Sequence, residues 1–211
     1  MPEIYREVQF KNGDINYTDV LEAYRSGIFP MGNNDESISW YYTNPRSIIP
    51  INDKNFKGLK ISRSLKQIMN KNIFEIKIDR EFELVIRLCA FRNITWINNK
   101  IIELYLELHK KGYAHSVECY KDGKLAGGLY GVAINGAFFG ESMFYLYPNA
   151  SKVAVIKLFE ILKSNDFVLF DIQMMTPLFK SFGAINITPT EYKKILKKAL
   201  KVNREFKLLI G

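Results

Sequence analysis

Cysteine and histidine are nearly absent from this chain of 211 residues, with two of each. Cys89 and Cys119 cannot build a disulfide framework and lack metal-site spacing, so free thiols in a reducing compartment are expected. His109 and His115 exclude a His-rich metal centre, and the GxSxG elbow, the Walker A loop and the HExxH pair are all missing. No apolar run approaches the roughly 18 residues that span a bilayer. The charged start, MPEIYREVQF, has no apolar stretch of the signal-peptide kind. A cytoplasmic location is therefore expected. Repeats and low-complexity tracts are absent as well.

What is present is a globular composition, 47% hydrophobic and 25% charged, with a net charge of +8. That balance points to an anionic partner, RNA or a membrane surface first. The apolar spacing predicts helices over 18–26, 62–69, 81–89 and 101–110, and a strand over 74–78. Gly27 stands where a helix C′ residue belongs. Ser47 to Ile51 is expected as an edge strand, because Pro50 cannot donate to a ladder. Three strands follow, 114–120, 124–134 and 137–144, joined at Asp122-Gly123 and Asn135-Gly136, the strongest short hairpin signals. Val155, Leu158, Phe159 and Leu162 mark the buried stripe of the next helix, and 167–172 reads as a fully buried strand. The last helix is expected to open on a Thr188/Glu191 capping box with Pro189 at N1. The fold class is α+β. The polar run 52–58 divides it into a small N-terminal domain, 1–58, and a main domain, 59–211.

Candidate chemistry is sparse. His115 is expected to be a hydrogen-bonded structural histidine, and neither thiol has an activating arrangement. The lysines of the last helix read as a solvated face. Two carboxylates remain, Glu141 and Asp171, both in strands among aromatics and each near a polar partner, Ser142 and Gln173. An unpaired buried carboxylate is costly, so such groups are paired, reach a surface or perform a task. A cleft of shifted carboxylates is the hypothesis they support.

Ten short motifs run in order through nearly the whole chain: GIFPM, WYYTNPR, ISRSLK, TWI, LHKKGYAHSVE, GKLAGGLYGV, FFGESMF, NASK, DIQ and SFGA. Together they resemble the leucyl/phenylalanyl-tRNA–protein transferases. That resemblance implies an acetyltransferase-like (GNAT) mixed-sheet domain behind a small N-terminal one. It implies transfer of leucine, phenylalanine or methionine from aminoacyl-tRNA to proteins that begin with arginine or lysine, marking them for degradation, without a cofactor or metal and with no membrane partner. The aminoacyl pocket would comprise Glu141, Gly140, Phe138, Leu129, Leu158 and Leu162. Trp96 and Tyr105 would meet the terminal adenosine, and Arg63 and Lys66 would track the acceptor-stem phosphates. Asp171 and Gln173 would assist attack by the acceptor amine. Nothing demands more than a monomer.

The chain departs from the family pattern at Met31, Tyr41, Tyr42-Thr43, Ile172, Leu178 and Pro189. The Ile172 side chain is expected to point away from the reacting groups. Three competing readings fit the residues less well. An acyl-CoA N-acetyltransferase would need a glycine-rich turn before the helix, where the sequence has PNASK. A non-catalytic RNA-binding module leaves the carboxylates unexplained. A peptide-bridge aminoacyltransferase of cell-wall synthesis would be larger.

Overall fold

The computed structural model describes residues 6–10, 13–51, 58–91 and 95–208. The expected 52–58 boundary lies almost wholly outside them. Three short strands, β1 (Arg6–Val8), β2 (Phe29–Gly32) and β3 (Ile38–Tyr42), form a small antiparallel sheet in the order β1-β3-β2. Helix α1 (Tyr17–Arg25) leads into it, held at its start by an Asn16/Asp19 capping box. Gly27 follows the helix at φ +79°. A Cβ there would come within 2.8 Å of the Tyr192 ring, so only glycine fits both the turn and the contact.

The main sheet has seven strands, ordered β10-β4-β9-β8-β7-β6-β5. They are β4 (Arg46–Ile49), β5 (Glu75–Ile78), β6 (Ala114–Lys121), β7 (Lys124–Ile134), β8 (Ala137–Tyr145), β9 (Leu169–Asp171) and β10 (Ile185–Ile187). The architecture is α+β, with a small sheet and a larger mixed one. β4 is not the edge strand that Pro50 suggested. It pairs with β9 on one side and β10 on the other, and Pro50 falls just after its last residue. β4 also precedes the 52–58 run yet belongs to the larger sheet.

Helices cover both faces. α1, α3 (Phe82–Ala90), α4 (Asn99–Lys110) and α7 (Pro189–Ala199) bury their apolar stripes against one core, which includes Tyr24, Phe82, Tyr105, Phe139 and Tyr192. α2 (Arg63–Asn70), α5 (Ala150–Ser164) and α6 (Pro177–Phe182) cover the opposite core around Phe138, Leu158, Leu162 and Phe170. α7 starts as expected, with Thr188 and Glu191 capping each other and Pro189 at the first position.

The strand pairing creates the site. β8 and β9 run parallel, joined through α5, but they pair only over Ala137↔Leu169, Phe138↔Phe170 and Phe139↔Asp171. β8 then continues alone beside β7, and the two strands part. Across β7 and β8 the register changes from Tyr130↔Ser142 to Gly131↔Gly140, which leaves Glu141 as the extra residue of a bulge. A bulge bends its strand and re-aims a side chain. Glu141 therefore escapes the strand alternation that would otherwise fix its face. Gly131 makes this close approach possible. A Cβ at Gly131 would lie 2.3 Å from the Phe139 carbonyl oxygen and 2.5 Å from the Phe138 ring. Gly131→Ala is expected to destabilise the fold by about 1–3 kcal/mol, as overpacking does. Urea unfolding measures it, and an unchanged midpoint would mean that the bulge adapts freely.

Candidate active site

A cavity of about 330 Å³ opens where β8 and β9 part. Its apolar wall comes from Leu129 on β7, Val155 and Leu158 on α5, and Phe170 on β9. Trp96, Glu141 and Gln173 are among its other lining residues. One part of the cavity can thus hold an aliphatic or aromatic side chain while polar groups meet the rest.

Glu141 is only partly buried and faces this cavity. Its Oε1 accepts hydrogen bonds from the Tyr24 hydroxyl at 2.6 Å and the Gln173 amide at 3.3 Å, and Tyr24 is itself paired with the buried Tyr105 hydroxyl. Burial raises the Glu141 carboxyl to about 8, the Tyr24 hydrogen bond opposes it, and the charge of Asp171 raises it further. Burial, with Glu141 adding to it, also holds the Tyr24 and Tyr105 hydroxyls protonated. They can therefore donate at any ordinary pH.

Asp171 is enclosed. It is 0% exposed, and both oxygens are occupied. Arg46 Nε donates to Oδ1 and Oδ2 at 2.9 and 3.0 Å, Arg46 Nη2 to Oδ2 at 2.8 Å, the Tyr192 hydroxyl to Oδ2 at 2.6 Å, and the Gln173 backbone N–H to Oδ1 at 2.9 Å. Arg46 is 1% exposed and lies between the rings of Phe29 and Tyr192. Its Nη1 donates to the Gly27 carbonyl at 3.0 Å. Burial works against the guanidinium charge, but Asp171, with Tyr192 and Glu141, more than offsets this. The last bond to Asp171 has a local consequence. Gln173 adopts φ +52°, unfavourable for a side-chain-bearing residue, and Asp171 anchors its N–H there. The Gln173 carboxamide is thereby directed at Glu141.

The expected site residues divide accordingly. Glu141, Gly140, Leu129, Leu158, Trp96 and Gln173 line the cavity, but Phe138, Leu162, Tyr105 and Asp171 do not. Phe138 and Leu162 are fully buried in the core behind it, where Phe138 packs on Phe170 and Phe206. Tyr105 is wholly buried and meets the site only through its hydroxyl, which faces Tyr24 and Glu141, so its ring offers no face to an adenosine. Arg63 and Lys66 are exposed on α2, away from the cavity lining. Ile172 lines the cavity, contrary to the expectation that it points away, because β9 ends at Asp171 and strand alternation ends with it. Sequence reasoning missed Arg46, Tyr24 and Tyr192. An arginine opening the apolar run RSII was the one available signal for the first. The two tyrosines look like ordinary members of helix stripes.

The other reactive side chains are accounted for. Both His115 nitrogens are within hydrogen-bond distance of partners, Nδ1 of Asp79 at 2.7 Å and Nε2 of the Gly112 carbonyl at 3.1 Å. Burial raises the Cys119 thiol to about 12, and it donates to the Ala150 carbonyl. Among the described residues no three His, Cys, Asp or Glu side chains gather as a metal-binding group. No helix there is long and apolar enough to cross a membrane.

An α+β protein with an apolar cavity at a strand split, and a shifted carboxyl and a strained glutamine at its mouth, has the form of a group-transfer enzyme. Residues 55–197 match the family model described as leucyl/phenylalanyl-tRNA protein transferase, and residues 13–44 match that of its N-terminal domain. A leucyl/phenylalanyl-tRNA–protein transferase of Rubrobacter xylanophilus is 44% identical, over 89% of this chain and 96% of its own. Those of Prosthecochloris aestuarii and Gloeothece citriformis are 45% and 42% identical, over 91% and 86% of this chain and 99% and 93% of theirs. The chain belongs to the leucyl/phenylalanyl-tRNA–protein transferase family, whose enzymes are aminoacyl-tRNA–protein transferases.

Proposed function

We propose that this enzyme moves leucine, phenylalanine or methionine from aminoacyl-tRNA to the N-terminal arginine or lysine of acceptor proteins in the cytoplasm, tagging them for degradation. The observation that carries this reading is the cavity, apolar at Leu129, Val155, Leu158 and Phe170 and polar at Glu141 and Gln173. An unbranched-Cβ apolar side chain suits such a wall. Each methylene there discriminates only modestly, which accounts for several accepted amino acids.

An aminoacyl ester is already activated, so holding amine and carbonyl together supplies much of the acceleration. The α-amine attacks the ester carbonyl carbon, a C–N bond forms, and the bond to the ribose oxygen breaks. The acceptor α-ammonium must first lose a proton, and free α-amino groups titrate near about 7.7–8.0. Glu141, raised to about 8, is matched to that task. It can take that proton and return it to the departing ribose oxygen, while the second proton that the nitrogen sheds in becoming an amide passes to water. Gln173 offers an amide donor to the carbonyl oxygen as charge builds there. The oxygens of Asp171 are taken by Arg46, Tyr192 and the Gln173 N–H, so we assign Asp171 the positioning of Gln173 in place of the expected proton acceptance. Trp96 remains the candidate stacking surface for the terminal adenosine.

The test is transfer of radiolabelled leucine from leucyl-tRNA to a peptide beginning with arginine, beside the same peptide with an acetylated N-terminus. Transfer to the free amine alone is expected. No transfer, or labelling of both peptides alike, overturns the reading.

A further inference from the structure

We infer that the exposed apolar groove beside the aminoacyl cavity is the track for the single-stranded 3′ end of the donor tRNA. This rests on aminoacyl-tRNA being the donor. The groove, about 490 Å³, carries three of the most exposed large hydrophobic residues of the described chain. Phe91 is 88% exposed, Tyr145 66% and Leu146 65%. Apolar side chains gathered at a surface in this way mark an interaction site.

Continuity gives the groove its direction. On one side it shares Met143 with the aminoacyl cavity. On the other it shares Lys152 and Leu178 with a further hollow, which reaches Lys60 and Ser62. Ser62 caps α2, the helix that carries the exposed Arg63 and Lys66. The three depressions thus form one path from the site of the ester to a basic helix.

Charge selects the occupant. Among the described residues, no acidic one lines the groove or the hollow beyond it, and the charged ones that do are Lys152 and Lys60. A cationic acceptor N-terminus would be repelled there, whereas phosphates would be attracted. Aromatic faces interleaved with lysines are how single-stranded nucleic acid is held, with bases stacked on rings and the backbone along the positive charge. Once the aminoacyl group occupies the cavity and the terminal nucleoside its mouth, the preceding unpaired nucleotides must leave over an adjoining surface. This groove adjoins the cavity and continues toward α2.

The test uses the full chain and Phe91→Ala, Tyr145→Ala and Lys152→Gln variants. Filter binding is measured with intact tRNA and with tRNA shortened by its four unpaired 3′ nucleotides. For intact tRNA, each aromatic variant is expected to raise Kd about fivefold to a hundredfold. For shortened tRNA, variants and wild type should bind alike. Unchanged binding of intact tRNA overturns the proposal, as does an equal loss with both RNAs. Because binding needs no transfer, the groove can fail this test while the reaction stands, and the reverse. Transfer kinetics add a second arm. The KM for leucyl-tRNA is expected to rise while that for leucyl-adenosine, which lacks the preceding nucleotides, stays at the wild-type value. A rise confined to the KM of the acceptor peptide overturns the proposal and gives the groove to the acceptor protein.

Discussion

Replacing Arg46 by methionine is expected to destabilise the protein by about 3–5 kcal/mol, the usual result of leaving a buried charge without its partner. Arg46 and Asp171 are 1% and 0% exposed, so neither can recover its loss from water. Tyr192 and the Gln173 N–H would still reach Asp171, but neither brings a compensating charge. Arg46→Lys should fall between methionine and wild type. An ammonium keeps the charge, but it cannot reproduce a planar fork that binds both Asp171 oxygens and the Gly27 carbonyl. The double variant Arg46→Met/Asp171→Leu should regain much of the stability, since apolar replacement of a whole buried pair is often neutral or better. Its activity should stay low, because the Gln173 N–H then loses its anchor, although the Ser47 N–H and the Thr43 hydroxyl still hold the Gln173 carbonyl. Urea unfolding with a transfer assay separates the two effects. A single-variant loss below about 1 kcal/mol would show that the pair is dispensable to the fold.

Glu141→Gln is expected to lower the rate of transfer about 10²-fold or more, in the range of a lost general base. It should not destabilise the protein at pH 8. Glu141's folded-state value, about 8, lies above the ordinary carboxyl value of 4.5. The native state therefore retains a proton that the unfolded chain releases. The stability so conferred is full below about pH 4.5 and falls as pH rises through about 8. Glutamine does not titrate, so the variant's stability should lack that decline. The pH dependence of transfer is a further discriminant. In the wild type the productive complex carries one proton, shared between Glu141 and the acceptor amine, and the single-turnover rate should peak near pH 8. In the variant only the amine titrates, so the rate should climb with pH to a plateau. Parallel losses of activity and thermal stability would reduce Glu141 to a structural residue, and a peaked variant profile would assign the proton to another group.

Much of the scaffold was legible because it is governed by local rules. The turn chemistry of Asp122-Gly123 and Asn135-Gly136 marked the β6–β7–β8 meander, and strand alternation did the rest. Helical periodicity marked α1, α3, α4, α5 and α7, and the capping box fixed the start of α7 to the residue. β1, β2, β3, α6 and β10 were not anticipated. They are three to six residues long, and a short element is held by the partner it packs on more than by its own pattern. β4 was misjudged for a related reason. Pro50 constrains only its own N–H, and the strand ends before it.

The sequence by itself determined the α+β class, the order of the long elements, the net positive charge, and Glu141 and Gln173 as candidate groups, while Trp96 entered through the family resemblance. These follow from composition, from periods of 2.0 and 3.6 residues, and from motifs contiguous along the chain. Only the tertiary structure decided which side chains share the site. A single unpaired residue in the β7–β8 ladder turns Glu141 into the cavity, and no alternation rule can foresee a bulge. Arg46, Asp171 and Tyr192 lie 125 and 21 residues apart along the chain, and they meet only because β4 pairs with β9 and α7 packs behind them. A buried cation and carboxylate must find each other to be tolerated at all, and that requirement acts through space.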